Sequence, residues 1–295
     1  MFSLSRGQQF VLLAVFLFSL MGVIVKWLSD LPTHQVVFLR ALVSLAMTAP
    51  LLAWARIQPL GVNRKLLFAR GLVGTAGLFI FFYTLTKMPL ASAYTLQQIS
   101  PLFTIFIAGI WHRQDGASPK QWALFLLAFF GVALVQGFDP RVSLGHAGLG
   151  ILGAVASGFA YNFVRELKRT DHPLVVTFYF PLVACIVIGP YSLFHWTPPT
   201  PVEWLLLVIL GIITFLAQWY ITIGIQMDSV ARTSPLIYVG AIFSLSFGYL
   251  IFEESMPALA LLGILVILVS LALAQNLKTP RSEPPLDESM PSSRP

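Results

Sequence analysis

Leu66-Leu-Phe-Ala-Arg-Gly-Leu-Val-Gly-Thr-Ala-Gly-Leu-Phe-Ile-Phe-Phe-Tyr-Thr-Leu-Thr86 and Leu205-Leu-Leu-Val-Ile-Leu-Gly-Ile-Ile-Thr-Phe-Leu-Ala-Gln-Trp-Tyr-Ile-Thr-Ile-Gly-Ile225 decide the architecture. Each run has 21 residues, which as a helix spans about 31 Å, the thickness of a bilayer's hydrocarbon core. A shift of 139 residues lays the second on the first without a gap, with Thr75 on Thr214, Phe79 on Gln218 and Tyr83 on Thr222. Two runs of membrane length in one fixed register predict a repeated membrane domain.

The same shift holds outward in both directions. Val36-Val37 falls on Val175-Val176, Pro59 on Pro198, Met88 on Met227, Gly109 on Gly248, and Ala133-Leu134-Val135-Gln136 on Ala272-Leu273-Ala274-Gln275. Hydropathy marks spans at about 10–28, 34–55, 66–86, 90–111, 120–138, 146–167, 173–194, 203–225, 229–252 and 257–277. Turn-forming stretches such as Asp30-Leu31-Pro32, Asp139-Pro140 and Thr197-Pro198-Pro199-Thr200-Pro201 separate them. Spans this long are about twice the length of barrel strands, and open sheet edges cannot be satisfied in lipid, so helices are expected. The expected fold class is an all-α membrane protein of ten transmembrane helices. Five helices per repeat is an odd number, so the second copy starts on the opposite side and the repeats are inverted, the arrangement of many transporters. The expected domains are residues 1–138, residues 139–277, and a disordered cytoplasmic tail over 278–295, where Pro, Ser, Glu and Asp leave nothing to bury.

Composition agrees. Of the 295 residues, 57% are apolar and 10% charged, and the mean hydropathy is +0.82, whereas about a quarter of a soluble domain is charged. The net charge of +6 is spread singly or in twos and threes between apolar runs, so it marks topology and not a nucleic-acid face. Counting Lys and Arg on alternate sides puts 14 of the 18 together, among them Arg6, Arg56, Arg64, Lys65, Arg70, Arg165, Lys168, Arg169 and Arg232. Lys26, Arg40, Lys87 and Arg141 fall on the other side, so both termini are expected in the cytoplasm, in a bacterial inner membrane. The apolar run from Phe10 is about twice the length of a signal-peptide core, so it reads as a span and not a cleaved leader. The single Cys185 allows no intramolecular disulfide and no Cys/His metal spacing.

Within the repeat lies a pattern that resembles a known family. The first copy reads Tyr83-Thr-Leu-Thr-Lys-Met-Pro-Leu-Ala-Ser-Ala-Tyr94, then Ser100-Pro101-Leu102-Phe103; the second reads Gly224-Ile-Gln-Met-Asp-Ser-Val-Ala-Arg-Thr-Ser234, then Glu253-Glu254 and Gly263. Over roughly residues 8 to 277 the chain resembles the EamA-type members of the drug/metabolite transporter superfamily. The first copy departs from the family's Gly-Glu after its fourth helix, having Gln114-Asp115. The resemblance implies a central cavity lined mainly by the first, third, fourth, sixth, eighth and ninth helices, and transport of amino acids, nucleotide-like metabolites, vitamins or drugs.

Polar side chains at membrane depth are costly and mark a translocation path or a helix contact. Positions that coincide under the shift are favoured as cavity-lining, because a face turned inward in one copy should turn inward in the other. The candidate substrate-binding residues are Arg40, Tyr94, Gln98, Tyr161, Asn162, Gln218, Thr222, Ser234 and Tyr238. Amides and hydroxyls would orient a ligand, and aromatic faces would stack on it. The competing reading of the same residues is hydrogen bonding between helices. Arg40 lies about 9 Å into its helix; it either snorkels to the outer headgroups or draws an anionic substrate group into an outer vestibule. Lys26 reads as a helix-end lysine or as part of that vestibule.

All twelve Asp and Glu and all five His fall in loops, in the tail or near span ends. That predicts a facilitator or exchanger, with a proton-coupled exporter as the alternative. No HExxH motif, paired membrane aspartates or activated nucleophile supports an enzyme, and nothing suggests a charged or carbonyl-lined channel filter. The expected partners are a small-molecule substrate and the lipid bilayer, with no nucleic acid, no metal and no cofactor; a homodimer is one assembly the sequence allows.

Overall fold

The computed structural model describes residues 4–87, 93, 96–111, 118–136, 143–252 and 258–276. Among them ten helices of twelve or more residues follow one another, and no strand occurs. They are α1 (Arg6–Trp27), α2 (Thr33–Trp54), α3 (Arg64–Lys87), α4 (Ser100–Trp111), α5 (Pro119–Gln136), α6 (Leu144–Glu166), α7 (Pro173–Phe194), α8 (Pro201–Met227), α9 (Val239–Phe252) and α10 (Ala258–Asn276). Among the described residues seven helical stretches are long and apolar enough to cross a membrane, and Ser100–Trp111, Pro119–Leu134 and Leu261–Ser270 are shorter apolar helices. The expected cytoplasmic tail, Tyr94, and Glu253-Glu254 lie outside the described residues.

Local chemistry sets the helix starts. Ser5 and Gln8 form a reciprocal capping box at α1, as Thr200 and Glu203 do at α8. Ser143 accepts the His146 backbone N–H at α6, and Pro173 and Pro201 occupy first-turn positions where no N–H partner is needed. The helices turn leucines and phenylalanines outward, including Leu126, Phe130, Leu265 and Leu268 on α5 and α10, an apolar rim suited to lipid.

Packing joins distant parts of the chain. Helix α1 lies against α8 and α9, α3 against α6 and α7, α2 against α7 and α8, α4 against α6, and α5 against α10. Two contacts are made by facing glycines. At the α1–α8 contact a Cβ on Gly224 would lie 2.8 Å from the Gly7 carbonyl oxygen and 2.6 Å from Val11 Cγ2. At the α3–α6 contact a Cβ on Gly77 would lie 3.2 Å from the Gly153 carbonyl oxygen. Small residues let the backbones approach where lipid supplies no hydrophobic drive between helices.

The fourth and ninth segments differ from the continuous spans read from hydropathy. The ninth is divided into a turn at Val230–Thr233, a 3-10 stretch over Ser234–Tyr238 and then α9. In the first half, a turn at Gln98-Ile99 precedes α4. Pro101 and Pro235 lack the N–H that an unbroken α-helix would use, which accounts for interruptions at both places. In a membrane, irregular backbone is tolerated where it lines a cavity or is enclosed by protein.

Candidate functional site

The two interruptions meet at a central cavity of about 130 Å³. Gln98 donates from Nε2 to the Ile237 carbonyl oxygen at 3.3 Å, so the breaks touch across the site. Gln97, Gln98 and Ser100 line one side and Ile237, Gly240 and Ser244 another. Helix α1 contributes Phe18 and Ser19, and the Ser19 hydroxyl bonds to the Val15 and Gly240 carbonyl oxygens. Helix α6 contributes Ser157 and Tyr161, with Ser157 Oγ accepting from Gln97 Nε2 at 3.1 Å. Helix α3 presents Arg70, Gly74, Leu78 and Phe81 at successive turns of one face, and α7 and α8 close the wall with Phe180 and Gln218.

Arg70 dominates the electrostatics. It is 2% exposed, donates from Nη2 to Gln218 Oε1 at 3.0 Å, and holds its guanidinium carbon 4.5 Å from the centre of the Phe180 ring. Its Nε and Nη1 are buried without an acceptor among the described residues. Gly74 makes the arrangement fit, since a Cβ there would meet Arg70 Nη1 at 2.7 Å and the Phe180 ring at 3.3 Å. Arg40 approaches the same ring at 5.5 Å and Phe82 at 5.6 Å, and its Nε and Nη2 also lack acceptors among the described residues. Among the described residues neither arginine has a carboxylate in ion-pair range. Carrying an arginine into a membrane helix is costly, the cost reaching about 2.5–3.5 kcal/mol at the centre even on insertion scales that allow snorkelling. A neutral amide and a ring face offset part of that cost. The site is therefore cationic, partly aromatic and rich in amides, and no carboxylate or histidine is among its described lining residues.

The sequence candidates scatter over this geometry. Gln98, Tyr161 and Gln218 line the cavity. Arg40 neither snorkels nor opens to a vestibule; it is 1% exposed and sits behind Phe180 beside Thr177, Thr214 and Gln218. Asn162 bonds from Nδ2 to the carbonyl oxygens of Thr104 and Gly158, joining α6 to α4. Thr222 and Ser234 are buried away from the cavity, and Tyr238 packs among Ala128, Val132, Ala241 and Ile267. Tyr94 lies outside the described residues. Lys26 stands over the Phe252 ring at 3.8 Å and lines a separate pocket with Gly22, Thr33 and Phe82. Sequence reasoning missed Gln97, Phe180 and Ser244 in the lining and, above all, Arg70. Charge counting placed it with the cytoplasmic anchors, although it lies six residues into α3.

Comparison with known proteins places the chain in a family. The model of the EamA-like transporter family matches residues 5–136 and again residues 146–275. The pseudopaline exporter CntI of Pseudomonas aeruginosa is 28% identical over 278 residues, covering 93% of this chain and 98% of the relative. A riboflavin transporter of Vibrio cholerae is 23% identical, covering 94% and 95%, and an S-adenosylmethionine uptake transporter of Rickettsia conorii is 24% identical, covering 89% and 90%. A crystal structure at 19% identity superimposes with a TM-score of 0.77 over 92% of this chain and 98% of the other, a likeness of fold alone. With its membrane-length helices and its match to the family along nearly its whole length, the chain is a multi-pass membrane protein belonging to the EamA-like transporter family, a transporter of small molecules and not an enzyme.

Proposed function

We propose that all ten helices cross the membrane as two inverted five-helix repeats, residues 1–138 and 139–277, and that the chain carries a small polar or amphipathic metabolite by alternating access through the central cavity. The observation that carries this reading is the helix pairing. Exchanging the first five helices for the last five turns α1–α8 into α6–α3, α2–α8 into α7–α3, and α1–α9 into α6–α4, and returns α2–α7 and α5–α10 to themselves. Gln98 and the Ile237 carbonyl that it touches are 139 residues apart, so that contact lies at the centre of the exchange. The family model's two matches, from residue 5 and from residue 146, agree with a duplicated unit. Inverted repeats with interrupted helices beside a central site are the usual framework for alternating access.

The charge count supports cytoplasmic termini, and several relatives come from bacteria, which supports the bacterial inner membrane. Relatives named for export and for uptake leave the direction to experiment. With no carboxylate or histidine among the described lining residues, a facilitator or exchanger fits better than a proton-coupled exporter. The test begins with a metabolite screen by thermal stabilisation of purified protein, followed by counterflow of the hits in liposomes without a pH gradient. Saturable counterflow is expected; flux that requires an imposed proton gradient would replace this reading with the proton-coupled one.

A further inference from the structure

We infer that Arg70 receives an anionic group of the transported molecule, a carboxylate or phosphate joined to a small apolar body, and that Phe180 covers the guanidinium until that group arrives. The inference rests on the transport reading only for the steps after binding.

Four observations converge on it. Arg70 lines the cavity yet, among the described residues, keeps two guanidinium nitrogens buried without acceptors, and Nη2 donates to a neutral amide. Phe180 lies over it, and Gly74 leaves out the side chain that would separate them. Arg40 stands near the same ring, again without a carboxylate among the described residues, so two positive charges reinforce one potential beside the cavity. The neighbouring wall of Phe18, Leu78 and Phe81 is apolar. A guanidinium is suited to oxyanions, since its planar donors match carboxylate and phosphate geometry.

The repeat argues against a purely architectural role. Under the 139-residue shift Arg70 corresponds to Ile209 and Phe180 to Ala41. The other half builds the equivalent helices without a cation there, so the scaffold does not need one.

The experiment uses the full-length protein in neutral detergent and a panel of equal-sized probes: benzoate, phenylphosphonate, benzamide and benzylammonium. Benzoate or phenylphosphonate should raise the melting temperature, while the neutral and cationic probes should not. Arg70→Gln should weaken the anion response about tenfold to a hundredfold, the range expected for losing a hydrogen bond to a charged group. Arg70→Lys should keep part of it. Arg70→Met, which removes a buried charge and leaves an apolar side chain, should melt at or above the wild-type temperature while losing the response. Phe180→Leu should strengthen anion binding by uncovering the guanidinium.

An equal response to benzamide, an undiminished anion response in Arg70→Gln and Arg70→Met, or no response to either anion would each overturn the inference. Added phosphatidylglycerol that displaces benzoate would also overturn it, assigning the site to a lipid headgroup. The two readings fail separately. Anion-selective, Arg70-dependent stabilisation without counterflow removes transport and keeps the site; counterflow of neutral or cationic solutes, unchanged in Arg70→Gln, removes the site and keeps transport.

Discussion

In the proposed repeat the α1–α8 and α3–α6 contacts are counterparts, yet they are built to different tolerances. At α1–α8, Gly224 and Gly7 bring backbone against backbone, and a Cβ on Gly224 has no room against Val11. The same end is tied by the Ser5 hydroxyl donating to Asp228 Oδ2 at 2.6 Å and by Arg165 Nη1 donating to the Asp228 carbonyl oxygen at 2.9 Å. At α3–α6 the glycine contact is looser by a few tenths of an ångström. Beside it lies the neutral Gln97–Ser157 hydrogen bond. A neutral pair is worth less than a charge-assisted one. Equivalent crossings thus differ in stiffness. In a carrier that opens one end at a time, the crossing with slack is the one that separates at lower cost.

That contrast can be broken at several points. Gly224→Ala should have the largest effect, a loss of about 1–3 kcal/mol from overpacking against the Gly7 backbone, read as lowered thermal stability in detergent. Stability equal to wild type would show that α1 and α8 shift apart freely, and the stiffness argument would be lost. Ser5→Ala and Asp228→Asn should each cost about 1 kcal/mol, since one removes a helix cap and the other a charged acceptor. Their double mutant should fall short of the sum, by a coupling of about 0.5 kcal/mol or more in the same melts. Ser157→Ala, at the looser crossing, should cost about 0.5–1 kcal/mol, the worth of an ordinary hydrogen bond. The smallest effect belongs to Gly77→Ala. There the gain in helix propensity, about 1 kcal/mol, offsets a mild crowding of Ser157 and Gly153, so the melting temperature should hardly move. A marked loss would make the two crossings equally tight.

Much of the fold was legible because the bilayer imposes one strong rule on every span. The seventh segment, read at 173–194, is α7 as the structure has it, and most other ends agree within a few residues. Hydropathy did not reveal the breaks before α4 and α9, because over a span of membrane length the polar residues there, Gln97, Gln98 and Ser100 in one and Arg232, Thr233 and Ser234 in the other, are averaged with apolar neighbours. Pro101 and Pro235 were the available signal. The site was less legible for a different reason. Requiring polar positions to coincide between halves favoured Thr75, Phe79 and Tyr83, whereas the cavity face of α3 runs through Arg70, Gly74, Leu78 and Phe81. The two faces differ by a single position, about 100° around a helix. The filter assumed a symmetric site, while the charge belongs to one half only. Asn162 illustrates the reverse case: an amide deep in the membrane whose donors serve the backbone carbonyls of Thr104 and Gly158.

The bond from Gln98 to Ile237 has a mechanical meaning. In the proposed alternating-access cycle, a position that touches its own image in the other half has the same neighbour before and after the halves exchange roles, so a rocking motion would leave that point still while the two ends sweep past it. The interrupted segments would then act as a fulcrum, and the molecule would hold its cargo closest to the place that moves least.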